Sequence, residues 1–247
     1  MEKAYKSDRA STENQSPESL ENETASRLEN IEKSGGTLAG DKNSSIYCLT
    51  VIGQIEGHYS LGEGQKATKY EHVIPLLVSI EENDDIDGLL VVLNTVGGDV
   101  EAGLAISEML ASMRKPCVTL VLGGGHSIGV PLAVSGKKSF IVPSATMTIH
   151  PVRTNGLVVG VPQSFNYFKE MQNRIIKFIC NHSRADEHKI YELMMCPDMM
   201  ATDIGSIISG EEAVGHGIID EVGGLDSAIA ALRRLIDEQK GGKEKSD

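Results

Sequence analysis

Gly125-His126-Ser127-Ile128-Gly129 fits the G-x-S-x-G pattern, in which a serine hydroxyl is held exposed on a tight turn between a strand and a helix. A serine there can act as a nucleophile if a base lies within reach to take its proton as it attacks a carbonyl. The pentapeptide does not select a fold, because unrelated hydrolases share the turn and a small residue also suits close backbone packing. Two partner sets are open. The α/β-hydrolase order of serine, acid, histidine would use Ser127, Asp203 and His216. The other set takes His150 as the base, at the end of TMTIH and before Pro151, which biases it toward extended backbone. A second glycine turn, NTVGGDV at 94–100, closes the preceding strand at the matching end. Its amides can supply half of an oxyanion hole, with the Ile128 amide as the other half.

Such turns need buried strands to hold them. GLLVVLN (88–94) is a continuous apolar run of strand length, and DVEAGLAISEML (99–110) sets Ala102, Leu104, Ala105 and Met109 at helical spacing. CVTLVLG (117–123), the turn GGHS and the helix IGVPLAVSG repeat the unit, with Pro131 in the first helical turn. Two strand-turn-helix units in succession imply an α/β fold with a parallel sheet layered by helices. IYCLTVIGQI adds a strand, ATKYEHVIPLLVSIEE a helix bent or started by Pro75, and SFIVP and TMTIH two short strands. Residues 163–195 read as mainly helical, with Phe165, Phe168, Met171 and Ile175 on one face, and strands resume only at GIIDEV (217–222). LDSAIAALRRLIDEQK is an amphipathic helix with Asp226 as its expected N-cap and Gly241-Gly242 after its end. Residues 1–45, polar with Tyr5 as their one aromatic, are expected to be a disordered tail, 46–240 the folded domain, and 241–247 a frayed tail.

Composition narrows the function classes. A formal charge of -12 argues against general affinity for nucleic acid or anionic membranes. No apolar run is long enough to span a bilayer, and MEKAYKSDRAS lacks a signal-peptide core, so a cytoplasmic location without membrane insertion is expected. Cys48, Cys117, Cys180 and Cys196 form no C-x-x-C pair and are expected as buried free thiols. Cys180, His182 and His188 do not make a recognised metal set, and neither metal nor cofactor is expected. The phosphate-binding pattern G-x-x-x-x-G-K-[ST] is absent, so any ATPase function would sit on another chain.

LNTVGGDVEAGLAISEML, GGGHSIGVPLAVSG, TMTIHPV and SGEEAVGHGIIDEVGG, in this order and spacing, resemble the proteolytic subunit of Clp protease over roughly residues 46–240. Within that superfamily the sequence looks most similar to the translocation-enhancing protein group. The resemblance implies a Clp protease/crotonase-like spiral of strand-strand-helix units. It makes 163–195 a helical arm that interlocks subunits into a homo-oligomeric, heptamer-based ring. It also implies a serine endopeptidase acting inside that ring on peptides or unfolded proteins, with a separate AAA+ ATPase as partner and a link to protein export. Carried over by motif, Ser127 is the nucleophile, His150 the general base, and the amides of Gly98 and Ile128 the oxyanion hole.

The acidic third member departs from the family pattern. Aligned without gaps, ATDIGSIISGEEA sets Gly205 where the catalytic Asp stands, and the nearest carboxylate is Asp203. Loss of that carboxylate costs on the order of 10^4 in turnover where it has been tested. A catalytically weak or inactive ring scaffold is therefore the alternative reading. A distant branch uses a Ser-Lys dyad, for which Lys169 lies in a suitable region, but a lysine base needs burial and an exposed Lys169 is expected. His126 is expected to project away from Ser127 without a catalytic role.

Overall fold

Leu89, Leu90, Val91 and Leu93 are all buried, which is what a strand covered on both faces requires of a continuous apolar run. The computed structural model describes residues 35–41, 44–62, 64–153, 160–197 and 204–243. Its strands are β1 (Gly36–Asp41), β2 (Ser44–Glu56), β3 (Ala67–Lys69), β4 (Gly88–Gly98), β5 (Cys117–Gly125), β6 (Lys138–Ile141), β7 (Thr146–Ile149), β8 (Ser206–Ser209) and β9 (Glu221–Val222). The main sheet runs β1-β2-β4-β5-β6-β9, with β1 antiparallel at one edge and the rest parallel.

Helices cover both faces of this sheet, as parallel strands demand. One face packs on α1 (Tyr70–Glu82), α2 (Val100–Ser112) and α3 (Gly129–Val134), whose buried side chains join Leu49, Val51, Leu89, Val91 and Leu93 in one cluster. The other face carries Leu90, Val118, Leu120 and Phe140 against Ala228, Ala231, Leu232 and Ile236 of α7 (Leu225–Lys243). Between them in the chain lie α4 (Val161–Asn181), α5 (Glu187–Met194) and α6 (Gly210–Gly215). The fold is α/β, and among the described residues no helix is long and apolar enough to cross a membrane.

Several expectations need correction. Gly36–Asp41, placed with the tail, is a strand whose register runs from Gly36 opposite Leu49 to Asp41 opposite Ser44. It has little apolar pattern because the backbone ladder to β2 makes the pairing. The tail before it lies outside the described residues. Ser206–Ser209, read as part of no strand, pairs antiparallel with β7, while GIIDEV contributes only Glu221 and Val222 as strand. Asp226 stands inside the first turn of α7, since the Ala228 N–H donates to the Gly224 carbonyl one turn back. That helix continues through Gly241-Gly242 to Lys243. Pro75 lies within α1, and of the four free thiols only Cys117 is fully buried, which pushes its pKa up to about 12.

Candidate active site

The Ser127 turn is made where β5 changes partner. Below it, Val118 to Val121 pair with β6; above it, Gly124 pairs with Thr146 of β7. The change is made by a bulge, because Leu93 faces Val121 and Thr95 faces Gly125, leaving Leu122, Gly123 and Gly124 opposite Asn94 alone. Asn94 fills that gap by accepting the Gly124 N–H at 3.0 Å. The chain then turns sharply at Ser127, whose φ of 57° makes it the one non-glycine residue with positive φ among the described residues. An L-residue pays roughly 1–2 kcal/mol for that conformation.

Two contacts tie the turn to its neighbours. The Ser127 N–H donates to the Thr148 carbonyl at 2.8 Å, and the His126 N–H donates to the Thr95 carbonyl at 3.2 Å. Along β7 side chains alternate, so Met147 and Ile149 are buried while Thr146 and Thr148 share the other face. Fastening Ser127 to Thr148 thus sets it beside β7, which His150 directly follows. Gly98, Ser127, Ile128 and His150 line one cleft, together with apolar walls from Val100, Val130, Ile149, Ile175, Ile179 and Met194.

The glycine turn of β4 borders the serine directly. At Gly97, with φ 87°, an added Cβ would stand 2.7 Å from the Ser127 Cβ and 2.9 Å from the His126 carbonyl oxygen. At Gly98, with φ 154°, it would collide with the Ile55 carbonyl. No side chain fits at either position, so the turn can press its backbone against Ser127. Thr95 sets its shape: only 1% exposed, its hydroxyl donates to the Gly53 carbonyl at 2.7 Å and accepts the Gly97 N–H at 3.0 Å. Sequence reasoning passed over Thr95, Thr148 and Asn94, since nothing in their types announces which turn they clamp.

His150 has its Nδ1 at 2.7 Å from the Pro151 carbonyl oxygen. A carbonyl only accepts, so in this arrangement Nδ1 carries the proton and Nε2 is the basic nitrogen. Gly205 packs on the same histidine: with φ 137°, its added Cβ would stand 2.6 Å from the Ile149 carbonyl oxygen and 2.7 Å from the His150 Cβ. The main chain at Gly205, the residue that the ungapped alignment sets at the family's acidic position, therefore lies beside His150. Asp203 lies outside the described residues.

The other expected partners are elsewhere. β8 runs antiparallel to β7 with Ser206 opposite Ile149 and Ser209 opposite Thr146, so the chain leaves the His150 end before α6 begins. His216 follows α6 as its C-cap and is not among the residues that line the cleft with Ser127. Lys169 is exposed on α4 and absent from the cleft. The His126 ring turns from the cleft to bond the Thr148 hydroxyl at 2.8 Å, and burial lowers its pKa. No cluster of metal-ligating side chains occurs among the described residues.

Comparison with known proteins agrees with this architecture. The family model described as Clp protease matches residues 44–225. The chain is also 54% identical over 223 residues to the translocation-enhancing protein TepA of Halalkalibacterium halodurans, an alignment covering 90% of this chain and 87% of that protein. With the fold, the serine turn and these matches in agreement, the chain belongs to the Clp protease family.

Proposed function

We propose that this protein is a serine endopeptidase that cleaves peptides or unfolded proteins inside an oligomeric ring. Ser127 Oγ attacks the scissile carbonyl. His150 Nε2 takes the hydroxyl proton and returns it to the leaving amine, while the Gly98 and Ile128 amides receive the oxyanion. The observation that carries this reading is the left-handed backbone of Ser127 in a cleft that also contains His150. Strain at a polar residue in a cleft is a mark of function rather than of packing. Asp203 stays a candidate third member whose contribution an Asn variant measures. The exposed apolar residues of the arm suit a ring, and a separate AAA+ ATPase would feed it unfolded chains in the cytoplasm. The name of the Halalkalibacterium relative extends the proposal to substrates connected with protein export.

Gly205 favours a second reading, a ring scaffold with little or no hydrolysis, because it removes the carboxylate that such sites use. Labelling with a fluorophosphonate probe, read by intact mass, separates the two. Activity predicts one label on wild-type protein, none on Ser127→Ala, and a rate lower by on the order of 10^3-fold or more in His150→Ala. An assembled wild-type protein that takes no label favours the scaffold.

A further inference from the structure

We infer that His126 is a positioning residue, its imidazole clamping the Ser127 turn to β7 through the Thr148 hydroxyl so that nucleophile and base keep one spacing. The inference rests on the peptidase reading above, since it assigns a role beside the proposed nucleophile. Its ground is the set of links that meet at Thr148. The Thr148 carbonyl accepts the Ser127 N–H at 2.8 Å, and its hydroxyl lies 2.8 Å from His126 Nδ1. Consecutive residues of the turn thus grip one residue of β7, one by main chain and one by side chain. Thr148 is itself fixed, because β8 pairs with β7 and sets Ile207 opposite it. His150 follows two residues later. The His126 N–H holds the turn from the other side, through the Thr95 carbonyl at 3.2 Å.

Gly124 provides the seat for the ring. An added Cβ there would overlap Nε2 and Cδ2 of His126, yet Gly124 lies in β5 without the positive φ that calls for glycine at 97 and 98. The side chain is missing where the imidazole lies, not where the backbone turns. Burial lowers the His126 pKa, so the ring is uncharged near neutral pH and a neutral hydrogen bond to the hydroxyl suffices. The load on the clamp is the left-handed φ of 57° at Ser127, which the turn must hold against relaxation toward ordinary backbone. The ring does not line the cleft, so it acts through Ser127 rather than on a substrate.

The test uses full-length protein and a fluorophosphonate probe, with labelling resolved into probe affinity and maximal rate. His126→Leu and Thr148→Val each remove one partner of the bond. Each is expected to lower the maximal rate by about tenfold with affinity unchanged, and the double variant to lose no more than either alone. His126→Asn, which keeps a polar atom in the place of Nδ1, and Thr148→Ser, which keeps the hydroxyl, are expected to stay within about threefold of wild type. Gly124→Ala, which displaces the ring, should match His126→Leu. Amide exchange at Ser127 reads the same clamp without chemistry. It should quicken by about tenfold in His126→Leu and Thr148→Val and stay near wild type in the conservative variants. Leu and Val variants that label and exchange as wild type overturn the inference, as do additive losses or a loss confined to probe affinity. A wild-type protein that takes no label overturns the peptidase reading, and amide exchange then decides the clamp by itself.

Discussion

At position 205 a side chain has no space. Reintroducing the family's acid there as Gly205→Asp is expected to destabilise the protein by at least about 2 kcal/mol, because a Cβ overlaps both Ile149 and His150 at a φ of 137°. Labelling of Ser127 should not quicken. A chemical-denaturation midpoint checks the first claim and the probe rate the second; a stable, faster variant would overturn both. Thr95 is the residue-scale counterpart on the other side of the serine. Thr95→Val keeps the shape but leaves the Gly97 N–H and Gly53 carbonyl without the hydroxyl that joins them. A loss of about 1–3 kcal/mol is expected from the stranded buried groups, with slower labelling because the Gly97-Gly98 turn loses its clamp. That Ser127, His150 and the Gly97-Gly98 turn come to one place was legible in the sequence, since a tight turn and side-chain-free backbone are demands on residue type. Thr95 was not, because it acts through a hydroxyl that any threonine has.

Among the elements, α2 starts beside the Gly97-Gly98 turn at the cleft and is well signalled. Asp99 is its N-cap, accepting the Ala102 N–H at 2.8 Å, and it stands directly after Gly98. A bidentate pair between Arg174 of α4 and Glu101 of α2, at 2.8 and 3.0 Å, holds the two helices together. The hydrogen bond from Arg174 is the main cause that lowers the Glu101 pKa. With a folded pKa below the unfolded one, this pair contributes stability above the unfolded value and loses it as pH falls through the folded one. Both partners are about half exposed, so Glu101→Gln should cost no more than about 1 kcal/mol at pH 7, and less as the pH falls below the ordinary carboxylate range. Denaturation midpoints of both proteins across that range check the sign, and a cost that grows toward low pH would overturn it. The elements that escaped sequence reading are those whose cause is a neighbour: β8 has four residues, two facing each way, and becomes a strand because β7 presents an unpaired edge.

For the whole molecule, the arm is the part the single chain does not explain. The buried residues of α4 begin at Met171, and the helix before them carries Val161, Phe165 and Tyr167 at 69%, 67% and 54% exposure. The expected apolar face of Phe165, Phe168, Met171 and Ile175 is thus divided: Met171 and Ile175 are buried, Ile175 in the cleft wall, while Phe165 lies in solvent. Ten residues of helix span about 15 Å, and a stretch this short is marginal in water without tertiary contacts. Another subunit supplies those contacts in the proposed ring, and Ile175 and Ile179 carry the consequence into the wall of the active cleft. Replacing Phe165 and Tyr167 together by Glu should therefore shift the protein from oligomer to monomer in light scattering. The sheet should remain intact by circular dichroism, and amide exchange should quicken over the first turns of α4. Labelling of Ser127 should fall with the loss of assembly, because the cleft wall and the arm are one helix. An unchanged mass would place the ring contacts elsewhere and leave the exposed aromatics of α4 without the role assigned to them.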